Sequence, residues 1–547
     1  MSYFKTIYSH LTQKEKKLIF IFSIIALISL ITLFLIIIKN KTIEVPKTGG
    51  NLKLGLVGQL VNTNPVLLQN EADANLVRLL FSNLSELSSN IEPEEDGKVW
   101  RVRLKENIFW SDSKKITSDD IIFTLEKIKE SKNDLAFYSF WQNVLIQRSS
   151  ELEIKFILDK PYSFFPEILD NFFIVPKHIF ADIPLENWKL SEFNLKPVSN
   201  GPYKIKNLNI EKTGFISFAD LETNFYYPDQ KPFIPQITVK FYPNNESLIK
   251  DFNLGQVDAF VLNSPTNLSL IKRPYNSKDY PISNYYAVFI NQSENLALKD
   301  INVRKAMSLS LNHEELVQNI FKNNVLPIYS PLPWFKNEPK DEYNPDLASK
   351  ILEDNGWKLN ADGIREKKID KDTIQLKFNL ILPDIDFLKR TAEELKKYWS
   401  KIGIQITISP SDPQFLALNN LKTRNYELIL FGNIIYPKLD LYPFWHSKFV
   451  FWPGANLSLY NDTSSDDLML QIQKDIKKEN LDKNLTLLLE NIHNNYPAIF
   501  LYSPNYILIT NKNINGIETN LVSNSDEILK NIKSWYIKTK RVFKTEQ

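Results

Sequence analysis

The sequence predicts an α/β chain of two lobes carried behind a membrane-spanning helix at its N-terminus. Three observations predict it. Strand–helix–strand patterning occurs on both sides of an extended stretch, residues 284–291, that can carry the backbone from one globular half to the other. Leu18 to Ile38, LIFIFSIIALISLITLFLIII, is 21 residues without a charge, about 31 Å as a helix and close to the hydrocarbon thickness of a bilayer. The 547 residues are 43% hydrophobic and 12% aromatic, which is the composition of a chain with large cores and not of a disordered one.

Lys14, Lys16 and Lys17 precede the apolar run and Lys39 and Lys41 follow it. The run is longer than a signal-peptide core and no small-x-small cleavage site follows, so an uncleaved anchor is expected. Residues 1–17 then form a basic cytoplasmic tail, 18–38 the span and 39–48 a tether, with the large domain outside the membrane. Four lysines before the span and three soon after it, ending at Lys47, make the charge bias slight.

Asn51 to Val57 alternates as a first strand. Residues 62–71 read as a loop, and 72–84 as a helix with Leu76, Leu79, Leu80 and Phe81 inward. Asp96-Gly97 is a hairpin turn before the strand Val99 to Leu104. Thr117 caps a helix whose first turn carries Asp119 and Asp120; two acids there are dipole partners more readily than paired catalytic carboxylates. Strands follow at 152–158, after the turn 197–202, and at 237–241; residues 244–260 read as helix then strand.

The central stretch begins as a strand rich in aromatic and β-branched residues, Tyr285 to Ile290. Asp300 caps a helix bearing Val303 and Met307 on one face. Asn312, with Glu315 three residues on, starts another. Helices are expected at 345–356, 386–402, 465–476 and 481–496, and strands at 373–381, 404–408 and 426–431. Residues 497–510 are extended, 526–535 helical, and 538–544 a basic tail.

A formal charge of +2 offers no field for nucleic acid. Cysteine is absent, which excludes disulfides, thiolate chemistry and a Cys-linked lipid. No phosphate-binding glycine loop, GxSxG elbow or HExxH occurs. His10, His178, His313, His446 and His493 are isolated. No cofactor or metal is expected, and an enzyme is unsupported. Aromatics at loop-like positions, including Trp334, Phe431, Tyr436, Trp445 and Tyr502, could line a cleft.

Several stretches resemble, in the same order, the oligopeptide/dipeptide-type solute-binding proteins of ABC importers, family 5. They are DGKVWRVRLKENIFWSDSKKITSDDIIFTLEKI (96–128), VSNGPYKI (198–205), NLGQVDAF (253–260), INVRKAMSLSLNHEELV (301–317), NPDLASKILEDNGW (344–357) and LFGNIIYPKLDLYPFWHS (430–447). The resemblance covers about 50–522. It implies a bilobal, periplasmic-binding-protein-like α/β fold of the large peptide-binding subclass. Lobe I would span 49–283 with an extra subdomain near 96–193, lobe II 284–496, and 497–547 would return to lobe I. It further implies an extracytoplasmic binder of peptides or similar solutes that closes by a hinge and serves ABC permease subunits, held to the bilayer by its helix. Gln69, Asn70 and Glu71 lie where the family contacts peptide main chain. In the ligand loop, Asn433 stands where the family commonly has the aspartate that meets the peptide ammonium, and Asp440 is close but out of register. An amide offers no charge, so the departure argues against recognition of a free α-amine and leaves a blocked or longer peptide, or a solute that is not a peptide. The rival reading is an envelope interaction protein that keeps the scaffold without transport. A hydrolase hidden by the fold, with Asp440 in it, is a third.

Overall fold

A computed structural model of the chain describes residues 12–131, 140–263, 265–322, 324–336 and 338–544. Most of the basic N-terminal tail, His10 included, lies outside them. Thr12 and Glu15 start the first helix, each side chain accepting from the other's backbone N–H. That helix, Gln13–Lys41, has no buried residue and is long and apolar enough to cross a membrane.

Two large sheets organise the rest. One has seven strands in the order Asn276–Pro281, Asn505–Thr510, Ala259–Leu262, Asn51–Val57, Gln236–Tyr242, Ile216–Thr223, Tyr203–Ile210. Its central strand, Asn51–Val57, is parallel to both neighbours and covered on both faces. Leu52, Leu54 and Leu56 enter one core. On the other face Gly55 lets the helix Asn245–Asn253 approach: an added Cβ would lie 3.1–3.2 Å from Val257 and Leu248. The second sheet has six strands: Leu326–Pro327, Ala498–Ser503, Asn284–Ile290, Leu428–Ile434, Lys377–Pro383, Gln405–Ser411. Helices capped by Asp300, Asn312 and Asn344 pack on one side of it, against Val288 and Ile290. The other side faces an aromatic cluster that includes Tyr285, Phe289, Trp445 and Phe500. A four-stranded antiparallel sheet, Ser88–Glu94, Val99–Leu104, Glu153–Ile157 and Leu145–Ser150, adjoins the first.

The chain passes between the two large sheets twice, between Pro281 and Asn284 and again at Pro504. The passages are tied to each other. Ser503 donates to the Ile282 carbonyl at 3.2 Å, the Ser283 N–H to Val522 O at 2.7 Å, and the Ile435 N–H to Ser283 O at 2.7 Å.

Several expectations need correction. The helix expected over 72–84 runs Glu71–Leu80 and a second, Leu84–Leu87, follows. The Asn200-Gly201 turn takes the intervening backbone: Asn200 Oδ1 accepts the Ser82 N–H at 2.9 Å and the Gly201 N–H donates to Leu80 O at 2.8 Å. A Cβ on Gly201 would sit 2.6 Å from Leu80 backbone, so only glycine fits. The single strand over 373–381 is two, Asp372–Gln375 in a small three-stranded sheet and Lys377–Pro383 in the six-stranded one. Leu376 is the divide, its N–H on Arg365 O and its carbonyl on the Gln405 N–H. The stretch 526–535 is a 3-10 run, Ser525–Ser534. Finally, the tether and the basic tail are strands. Thr42–Lys47 pairs antiparallel with Lys538–Phe543.

Candidate ligand-binding crevice

The carboxyl ends of adjacent parallel strands, with helix starts around them, are where α/β sheets leave a crevice. Here three such ends, at Val57, Tyr242 and Leu262, lie side by side in the seven-stranded sheet. A cavity of about 120 Å³ lies there, lined by Leu56, Val57, Val261, Asn263, Asn245 and Tyr506, with Glu71, Asn75 and Ser525 opposite. Among the described residues Glu71 is the one charged residue lining it. Its carboxylate accepts the Ser525 hydroxyl in a short bond, and Asn75 Nδ2 donates to Ser525 Oγ at 3.1 Å. Burial pushes the Tyr506 phenol up, so it is a neutral donor.

Polar groups, of which Asp73 and Arg78 are buried, hold this wall in place. Asn70 caps the helix by accepting the Asp73 N–H at 3.0 Å, and its Nδ2 donates to Gln59 O at 3.1 Å. Asp73 accepts backbone N–H groups from Val61, Asn62 and Gln69 at 2.8–3.2 Å, which pins the preceding loop. Burial raises its carboxyl against the lowering effect of those bonds. Arg78, only 4% exposed, donates twice to Asp526 at 2.8 and 3.0 Å, and to Asp170 O and Asn171 as well. That ion pair clamps the segment carrying Ser525 onto the helix carrying Glu71.

On the six-stranded sheet, Asn433 is buried and its Nδ2 donates to the Tyr285 hydroxyl at 3.2 Å. The neighbouring Ile434 is 55% exposed, and Phe431 is half-buried against the aromatic cluster. Tyr436 and Asp440 lie in a clasp between the loop after Leu428–Ile434 and residues 162–167 and 527. The Tyr436 hydroxyl donates to Glu167 O at 2.5 Å, the Lys438 N–H to Glu167 Oε1 at 3.0 Å, and Lys438 Nζ meets Glu527 at 3.0 Å. Asp440 accepts the Tyr162 hydroxyl at 2.8 Å, Gln473 Nε2 at 3.1 and 3.2 Å, and the Tyr442 N–H at 3.1 Å.

Of the ten residues expected to touch ligand, only Glu71 lines the crevice; Gln69 and Asn70 shape the loop beside it. Asp440 has its oxygens occupied by this protein's own donors. Trp445 and Tyr502 are fully buried; Trp445 packs on Phe289 and Phe500, and Tyr502 shares a hydrogen bond with Thr391. They are core residues because the strands they sit on or against are covered. Trp334 is half-buried against the same aromatic cluster. The expectation missed Tyr506, Asn75, Asn245 and Ser525. A helix start directly after a parallel strand, as at Asn244-Asn245, was the available signal. The helix-start acids Asp119 and Asp120 are structural: Asp120 accepts the Thr117 and Lys177 N–H groups at 3.0 Å, and Asp119 pairs with Arg148 at 3.1 Å. Among the described residues no three side chains are grouped to hold a metal ion.

Known proteins share this fold. The oligopeptide-binding protein AppA of Bacillus subtilis (strain 168) is 27% identical over 531 residues, 91% of this chain and 93% of its own. The structure of Bacillus subtilis AppA with a nonapeptide superposes with a TM-score of 0.64 at 24% identity, covering 90% of this chain and all of that one. NikZ from Campylobacter jejuni, in complex with Ni(L-His), gives a TM-score of 0.65 at 23% identity over 89% of this chain and 99% of its own. The family described as bacterial extracellular solute-binding proteins, family 5, matches residues 85–450, and the chain belongs to that family.

Proposed function

We propose that this chain captures a peptide with a positively charged end outside the membrane and delivers it to an ABC permease. The observation that carries the reading is the strand-end crevice with Glu71 as its single charge. A cavity of about 120 Å³ has room for an ammonium and a small side chain, since a single water needs only about 10–15 Å³ on that measure. Asn75, Tyr506 and backbone groups at the strand ends would orient the adjoining peptide unit. Every residue lining the cavity comes from the seven-stranded sheet or segments packed on it, so a longer ligand gains contacts with Ile434 and Phe431 only as the lobes approach. Binding to one lobe followed by closure of the other is how such a site gains differential affinity for the closed state. The helix Gln13–Lys41 would keep the domain at the membrane.

Titration calorimetry on the detergent-solubilised full chain tests this, using short peptides with free and N-acetylated termini. Free peptides should bind. Glu71→Gln should weaken them about tenfold, the size of a charge-assisted bond lost, while acetylated peptides change little. Equal affinity for both peptide forms in both proteins would refute the ammonium site. The absence of any bound or co-purifying peptide would leave the second reading, an envelope interaction protein on this scaffold. The neutral Asn433 supports that reading, and failure to co-purify permease subunits would favour it.

A further inference from the structure

The C-terminal strand meets the chain at the C-terminal end of the apolar helix. The Lys544 N–H donates to Lys41 O at 2.9 Å. Arg541 donates to Lys39 O at 3.2 Å and to Thr42 Oγ1 at 2.9 Å, and pairs with Glu44 at 2.9 Å. Its guanidinium therefore satisfies a carbonyl at the helix C-terminus, which intrahelical bonding leaves free and where a cation is favoured. The strand Lys538–Phe543 then runs antiparallel to Thr42–Lys47, about 20 Å of two-stranded ribbon.

This ribbon is strongly basic. Within residues 39–47 and 538–544 seven side chains are basic and one, Glu44, is acidic. Lys39, Lys41, Arg541 and Lys544 cluster at the helix end and are exposed; Lys540, also exposed, is the next residue along the strand. Phe543, opposite Thr42 in the register, is 73% exposed. Ile43, opposite Val542, is exposed on the other face. An exposed aromatic ring beside lysines, one residue beyond an apolar helix, suits the boundary between acyl chains and headgroups. The surrounding charge suits phosphate.

We infer that the helix end of this ribbon docks end-on among anionic phospholipid headgroups, with Phe543 entering the interface from one face and Lys540 and Lys544, on the opposite face, meeting lipid phosphates. The domain is thus held to the bilayer at both chain ends, and its crevice has a set height and orientation. The inference rests on the helix being a membrane anchor.

The chain has no cysteine, so Phe543→Cys gives a single site for an environment-sensitive fluorophore on the full-length protein. The labelled protein is reconstituted into vesicles of phosphatidylcholine alone or with phosphatidylglycerol. Flotation with vesicles after carbonate washing reports the anchor. With phosphatidylglycerol the label should shift to the blue and be quenched by spin-labelled lipid, and high salt should reverse this. Lys540→Glu with Lys544→Glu should lower the docking equilibrium roughly fivefold per charge removed. A label whose emission is the same in both vesicles, in a protein that floats, overturns the lipid contact alone. A protein that does not float overturns both the contact and the anchor. The unlabelled Lys540→Glu/Lys544→Glu protein, followed by trypsin cleavage at Lys538 and Arg541, gives an independent readout. Phosphatidylglycerol should slow that cleavage in the wild-type protein and leave it unchanged in the variant; equal rates in both vesicles for the wild type overturn the inference.

Discussion

Tyr162→Phe removes the shortest bond to a carboxylate that the fold has taken out of water. Asp440 is 3% exposed, and the Tyr162 hydroxyl reaches it at 2.8 Å, against 3.1–3.2 Å for Gln473 Nε2 and 3.1 Å for the Tyr442 N–H. A hydrogen bond to a charged partner contributes about 1.5–3 kcal/mol, so a loss of about 2 kcal/mol is expected at neutral pH. The sign of the pH dependence follows from the carboxyl itself. Burial raises Asp440, and its hydrogen bonds lower it by less, leaving it above the ordinary carboxylate range. The folded protein therefore binds this proton before the unfolded chain does. Ionising Asp440 costs stability as pH rises through that range, and the cost is relieved on acidification. Tyr162 offsets part of the cost by favouring the ionised form. The deficit in Tyr162→Phe should thus be largest near pH 7 and fall to about 1 kcal/mol or less once Asp440 is protonated. A double-mutant cycle of Tyr162→Phe with Asp440→Asn, read by urea unfolding, isolates the pair from every other titrating group. A coupling under about 0.5 kcal/mol at pH 7, or one unchanged at about pH 3.5, would refute the reasoning.

Other perturbations probe different parts of the molecule. Arg78→Ala leaves Asp526 buried without its partner and should cost about 3–5 kcal/mol in chemical denaturation; it should also weaken peptide binding, because Ser525 is adjacent in sequence. A stability change within about 0.5 kcal/mol would show that the clamp is not needed. His313 is buried with its Nε2 on Phe500 O at 2.9 Å, and burial pulls it down to about 4. The unfolded chain takes up that proton first, so stability should fall by about 3 kcal/mol as pH drops from the ordinary histidine value to about 4. His313→Gln should flatten that part of the stability profile. A wild-type profile level over the range would contradict the burial.

Local signals in this chain are strong where neighbours in sequence satisfy each other. The caps at Thr117, Asp300 and Asn312, the Asp96-Gly97 turn and the first strand were all legible because each needs only a few consecutive residues. The membrane-length helix was legible for the same reason, since apolarity over 21 residues is a property of the run itself. The family order of motifs also lies along the chain. What tertiary structure alone decided is which polar groups remain open to a ligand. Asp440 looks like a free acid in sequence, yet Tyr162, 278 positions away, occupies it. Trp445 and Tyr502 look like cleft aromatics, yet both are core. Glu71 and Ser525 meet across 454 positions, and the basic tail finds the tether across nearly the whole chain. A carboxylate's role depends on the donors that desolvation brings within 3 Å of it, and no local pattern encodes a contact made by chain closure over hundreds of residues.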